Sequence, residues 1–130
     1  MHIAMAGPVL TKPLMQSLEN ATGLPEGRGG TPVCSLVRDL VDRGQRVSIV
    51  TLDRGVTRPF VTNGRLLDLN CGPYRPRHRM RDLMRAERFA VRDGVLRTRA
   101  DLVHAHWCGE YALGALASGM PTLVTVHDWM

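Results

Sequence analysis

Asp101-Leu-Val-His-Ala-His-Trp-Cys108 and Pro121-Thr-Leu-Val-Thr-Val-His-Asp-Trp-Met130 are two short apolar runs that each deliver histidine where the run stops. Short runs of β-branched and aliphatic residues bounded by turn formers read as strands buried on both faces. Leu102 to Ala105 and Thr122 to Val126 are therefore predicted to be parallel strands. Between them Tyr111 to Ser118, closed by Gly119, reads as a short helix. A strand, a helical crossover and a second strand imply a parallel sheet, and in open sheets of this kind ligands bind outside the carboxyl ends of the strands. The histidines stand at that edge.

The same alternation extends toward the amino terminus. Ile3-Ala-Met-Ala6 reads as a strand ending at Gly7-Pro8, followed by a polar, glycine-rich loop to Gly30. Loops this long inside a compact domain are usually functional or disordered. Thr31 is predicted to cap a helix whose first residue is Pro32, with Val33, Leu36, Val37, Leu40 and Val41 on one face and Gly44 closing it. Val47 to Leu52 reads as the second strand, and a less marked third lies within Arg65 to Leu69, after the Asn63-Gly64 turn. Arg75 to Arg99 reads as a surface crossover helix interrupted at Gly94. The predicted fold class is α/β: a Rossmann-like, doubly wound parallel sheet, incomplete at its C-terminal edge.

With 130 residues, 44% of them hydrophobic, the chain can build one core and is too short for two ordinary domains. The formal charge is +5, but Lys12 is the only lysine among 17 basic residues. A GC-rich coding sequence gives the same arginine bias, so charge alone points weakly to a partner. Cys34, Cys71 and Cys108 are odd in number and lack CxxC spacing, which suits reduced thiols in a cytoplasmic protein. Neither a secretory leader nor a run of about 18 apolar residues is found. The expectation is a soluble or at most peripheral protein.

Three loops meet the carboxyl edge: Gly7 to Thr31, His106 to Glu110 and His127 to Met130. Their glycines, imidazoles, carboxylates and indoles suit a polar, hydroxyl-rich ligand. Gly27-Arg-Gly-Gly-Thr-Pro32 precedes a helix N-terminus, where free N–H groups and the macrodipole favour an anion such as a diphosphate. The regular phosphate fingerprints are absent, and a flexible loop with a good cap is an equally weighted alternative. His104, His106 and Cys108 alternate as a metal site might, but alternation fails past the strand end and no second soft ligand is near. No metal is expected. His106 and His127 lie at or past strand ends, where imidazole can hydrogen-bond a hydroxyl or exchange a proton.

Gly29-Gly30-Thr-Pro-Val, Leu36-Val-x-x-Leu40 and Arg43-Gly-Gln-Arg-Val-Ser-Ile-Val-Thr51, then Ala100 to Trp107 and Ala115 to Asp128, occur in an order and spacing that resembles the N-terminal domain of family-four glycosyltransferases. These enzymes have the two-Rossmann-domain GT-B fold. The resemblance implies a retaining transferase that moves a sugar from a nucleotide-diphosphate sugar, its donor substrate, to a sugar or glycan acceptor, with no cofactor. In that family the N-terminal domain mainly binds acceptor, and its glycine loop, matched by Gly29, Gly30 and Thr31, approaches the donor diphosphate. His106 matches a histidine near the reacting centre, and His127 with Asp128 matches the loop after the fifth strand. Both histidines are thus candidate catalytic residues, and Trp107 and Glu110 are candidate acceptor contacts. The family's donor site lies mostly in a second domain, so residues 1–130 are expected to be inactive unless a missing donor domain or partner chain completes them. The alternative is a non-catalytic Rossmann-like binding module using its Arg-rich surface on an anionic partner. Peripheral contact with an anionic membrane fits that surface, whereas the lack of interleaved aromatics argues against nucleic acid.

Overall fold

The computed structural model describes residues 1–127; Asp128, Trp129 and Met130 lie outside the described residues. The chain begins with β1 (His2–Ala6), whose last four residues are buried, and follows it with a 3₁₀ turn at Lys12–Ser17. Helix α1 (Thr31–Asp42) leads to β2 (Arg46–Asp53), and β3 (Phe60–Asn63) turns back into β4 (Leu67–Pro73). After a second 3₁₀ turn at Arg79–Asp82 come α2 (Arg85–Thr98), β5 (Leu102–His106), α3 (Glu110–Ala117) and β6 (Thr122–Thr125).

Six strands form one sheet in the order β3-β4-β2-β1-β5-β6, all parallel except β3, which runs antiparallel to β4. Both faces of the central strands are covered, as parallel strands require, whereas the edge strand β6 has no buried residue and leaves Leu123 58% exposed. On one face Val33, Cys34 and Val37 of α1 and Leu14 of the first 3₁₀ turn pack on Met5, Ile49 and Leu69. On the other, Val91 and Val95 of α2 and Tyr111, Ala112 and Ala115 of α3 pack on Ala4, Ala6, Val50, Val103 and Ala105. The expected α/β, Rossmann-like architecture is present.

Several local expectations are corrected. Thr31 is not the cap of α1: Gly30 is, in a left-handed conformation with φ 72°, and Thr31 begins the helix. A Cβ at Gly30 would stand 1.9 Å from the carbonyl oxygen of Pro8, so close backbone approach selects glycine over a capping hydroxyl. Leu36, Leu40 and Val41 are only partly buried. The third strand is longer than Arg65 to Leu69 and buried from Leu67 through Gly72, because it lies between β2 and β3. Strand β3 was not foreseen. Helix α2 is not interrupted at Gly94; the residue is buried, and a Cβ there would lie 2.7 Å from Cγ1 of Val50. Gly94 is a packing residue rather than a break.

The long loop before α1 is also more ordered than its composition suggests. Leu14 and Leu18 are buried, and the Thr11 amide donates to the carbonyl of Glu26 at 3.1 Å. The Glu19 amide donates to Asn63 at 2.9 Å, which ties the loop to β3. All three cysteines are free, Cys34 and Cys71 buried and Cys108 exposed. Burial pushes the Cys71 thiol up to about 12, so it stays protonated and inert.

Candidate functional site

The strand order reverses between β1 and β5: β2 lies on one side of β1 and β5 on the other. Loops leaving neighbouring strands in opposite directions open a crevice at their carboxyl ends. Here the crevice is a cavity of about 360 Å³ lined by Pro8 after β1, Leu52, Asp53 and Arg54 at the end of β2, Tyr74 after β4, Trp107, Glu110 and Tyr111 after β5, and Arg28. A more open cavity of about 670 Å³ adjoins it along residues 23–28 and 53–58, sharing Arg28, Asp53 and Arg54. The polar groups are backed by rings. Arg54 lies 5.8 Å over the Tyr74 ring, and Tyr111 is buried with its hydroxyl accepting the Leu52 amide at 3.2 Å.

Trp107 adopts φ 65°, which costs a non-glycine residue about 1 kcal/mol. Its amide donates to the Thr125 carbonyl at 2.9 Å, so the strained residue is held where β5 meets β6. This turn ends the strand alternation and leaves Cys108 exposed while His104 and His106 stay on the α1 face of the sheet. Among the described residues no group of three or more His, Cys, Asp or Glu is arranged to hold a metal ion. Glu110 opens α3, where a carboxylate suits the helix dipole.

The two candidate catalytic histidines lie behind Trp107 rather than on the cavity wall. His106 is 2% exposed. Its Nδ1 is 2.7 Å from Nε2 of His127 and its Nε2 is 2.9 Å from Sδ of Met5. Its ring stacks on His104 at 4.2 Å and on His127 at 4.9 Å, and the Trp107 ring lies 4.4 Å from that of His127. His104 is in turn bonded through Nε2 to the Thr125 hydroxyl at 2.7 Å. Burial, reinforced by the neighbouring His104 and His127, brings the pKa of His106 down to about 4, so the ring is neutral at neutral pH. Burial lowers His104 in the same direction.

Gly29 and Gly30 both take positive φ at the N-terminus of α1, and no side chain caps that helix. Gly29 is exposed with open space where a Cβ would be, whereas Gly30 is buried against Pro8. Arg28, immediately before them, reaches both cavities. The structure thus gathers Trp107 and Glu110 on the cavity wall, places His106 and His127 beside Trp107, and sets Gly29, Gly30 and Thr31 directly after Arg28. Asp128 lies outside the described residues.

Sequence reading missed Arg28, Asp53, Arg54 and Tyr74. The available signal was position: three of the four follow or end β2 and β4, at the edge already marked by the histidines. Also unforeseen is the fully buried Glu87, which accepts from the Arg75 amide at 3.0 Å, from Nε at 2.9 Å and from Nη2 at 2.7 Å. Burial alone would raise its pKa, but the Arg75 hydrogen bonds outweigh that and hold it below the ordinary value. Arg75 also binds Asp82, and this fixes the segment after β4 beside the cleft. Among the described residues no helix is long and apolar enough to cross a membrane.

Comparison with curated proteins and with solved structures gives no match. A family model described as a glycosyl transferase 4-like domain matches residues 29–130, from the glycine loop through β6, and the chain belongs to that family.

Proposed function

We propose that this chain is the acceptor-binding side of a retaining, GT-B glycosyltransferase that uses a nucleotide-diphosphate sugar. The observation that carries this reading is the cleft at the carboxyl ends of the strands, lined by the aromatic side chains of Trp107 and Tyr74 and by the carboxylates of Glu110 and Asp53 beside two arginines. Sugars expose flat C–H faces that stack on aromatic rings and hydroxyls that donate to carboxylates, so this lining fits a glycan better than an apolar ligand. Gly29, Gly30 and Thr31 would face the donor diphosphate, and His127 would meet the reacting sugar with His106 behind it. The donor site itself is proposed to be completed by a second domain or chain. The test is a glycan array probed with this 130-residue chain. Binding should be lost in Trp107→Ala and weakened at least tenfold in Glu110→Gln; binding untouched by either change would overturn the assignment of the cleft.

A membrane-borne acceptor is favoured by one further observation. Between Arg75 and Arg92 the only carboxylates are Asp82 and Glu87, and both are held by Arg75. Among the described residues the guanidiniums of Arg77, Arg81 and Arg85 form no ion pair, and Met80 and Leu83 beside them are 63% and 67% exposed. Guanidiniums free of ion pairs, with protruding apolar side chains beside them, suit an anionic lipid surface, each cation contributing about 1 kcal/mol. This surface adjoins the cleft through Arg79, whose guanidinium lies 4.8 Å over Tyr74. The chain should float with vesicles containing phosphatidylglycerol and not with pure phosphatidylcholine. The double substitution Arg81→Glu, Leu83→Asp should abolish flotation; equal binding to both vesicles would contradict the reading.

A further inference from the structure

We infer that His106 is a positioning residue: Met5, His106 and His127 form a directional hydrogen-bond chain that fixes the proton of His127 on Nε2 and leaves its Nδ1 a bare acceptor. A neutral imidazole carries one proton, so only two arrangements of His106 exist. With the proton on Nδ1, His106 would donate to His127, and its Nε2 lone pair would face the sulfur of Met5, which has no proton to give. That leaves a buried nitrogen unsatisfied, at a cost of about 1–3 kcal/mol. With the proton on Nε2, His106 donates to Met5 Sδ across 2.9 Å, and its Nδ1 accepts from Nε2–H of His127 across 2.7 Å. Every buried group is then paired, so this arrangement is selected.

The surroundings hold His106 neutral and the three side chains in place. Met5 is fully buried in β1, and a Cβ at Gly7 would come 3.2 Å from Cβ of His106, so the backbone just past β1 closes one side. His104 stacks on the other side, Trp107 lies against His127, and Thr125 holds His104. Among the described residues no carboxylate bonds any of the three imidazoles, so nothing rewards a positive charge there. Among the described residues nothing bonds Nδ1 of His127. A bare Nδ1 accepts a hydrogen bond from a hydroxyl. That the hydroxyl belongs to a sugar rests on the proposed acceptor-side reading; the proton arrangement does not.

The test is imidazole NMR on the uniformly 15N-labelled chain at neutral pH. Two-bond nitrogen–proton correlations should give His106 and His127 each as the Nε2–H form, and a 15N–15N coupling through the hydrogen bond should join Nε2 of His127 to Nδ1 of His106. In His106→Asn the amide oxygen can replace Nδ1 as acceptor, and His127 should keep its single Nε2–H form. In His106→Leu the acceptor is gone, and His127 should relax to exchange between both forms. A proton found on Nδ1 of His106, no coupling in the unsubstituted chain, or a His127 unchanged in His106→Leu would each overturn the inference. The wild-type coupling decides the matter even if a variant fails to fold. A chain that shows the coupling and binds no glycan keeps this chain of bonds and loses the proposed function; one that binds glycan without the coupling does the reverse.

Discussion

His106 is a side chain whose ordinary pKa lies near neutrality but which is buried where charge is costly. The sign of its effect on stability follows. The unfolded chain takes up the proton near pH 6.5 while the folded chain resists it down to about 4, so the stabilisation is complete above pH 6.5 and is lost as pH falls through that window. The difference is on the order of 3 kcal/mol. Urea unfolding midpoints should therefore fall between pH 7 and pH 5 in the native chain and fall less over that range in His106→Asn, where His104 and His2, also lowered by burial, keep part of the decline. Parallel pH profiles would contradict a buried, neutral His106. Alternation in the sequence marked His104 and His106 as sharing a face, and that was legible. Met5, the partner that orients His106, lies 101 residues away, and no local pattern joins them. Glu87 was equally hidden, because a charged residue in an Arg-rich segment looks solvated until the fold supplies Arg75 above it.

Helix α2 owes its place to two glycines, its own Gly94 and Gly114 on α3. A Cβ on Gly114 would stand 2.6 Å from Cβ of Val91 and 2.7 Å from the carbonyl oxygen of Arg88, so α3 would have to move off α2. At Gly94 the obstacle is one methyl of Val50, and alanine recovers helix propensity worth about 1 kcal/mol. Gly114→Ala should accordingly cost about 3 kcal/mol in urea unfolding and Gly94→Ala about 1 kcal/mol or less. Equal costs, or a stabilising Gly114→Ala, would mean the helices are not packed this closely. At this scale the long apolar runs were readable: β1, β2, β5, β6, α1 and α3 lie within a residue or two of expectation. Strand β3 was not, since its four residues follow Pro59 and leave Val61 exposed, so neither alternation nor hydrophobicity singles them out. Gly94 misled because helix propensity is local, whereas the close contact with Val50 that favours glycine there is tertiary.

Across the whole molecule, sheet order decides where chemistry can occur. Alternating strand and helix signals sufficed to predict a doubly wound sheet with its crevice at the carboxyl edge. The composition of the crevice was only half legible, because Trp107 and Glu110 follow a conspicuous strand, Arg28 stands among glycines that drew the attention themselves, and Arg54 and Tyr74 lie in loops of unremarkable sequence. The central claim is that this crevice holds a glycan, and backbone amide NMR of the 130-residue chain titrated with a glycan selected on the array tests it most directly. The account predicts saturable shifts concentrated at Arg54, Tyr74, Trp107, Glu110 and the Trp107 indole. Saturable shifts confined to residues away from the strands' carboxyl ends, or none with any glycan on the array, would contradict it.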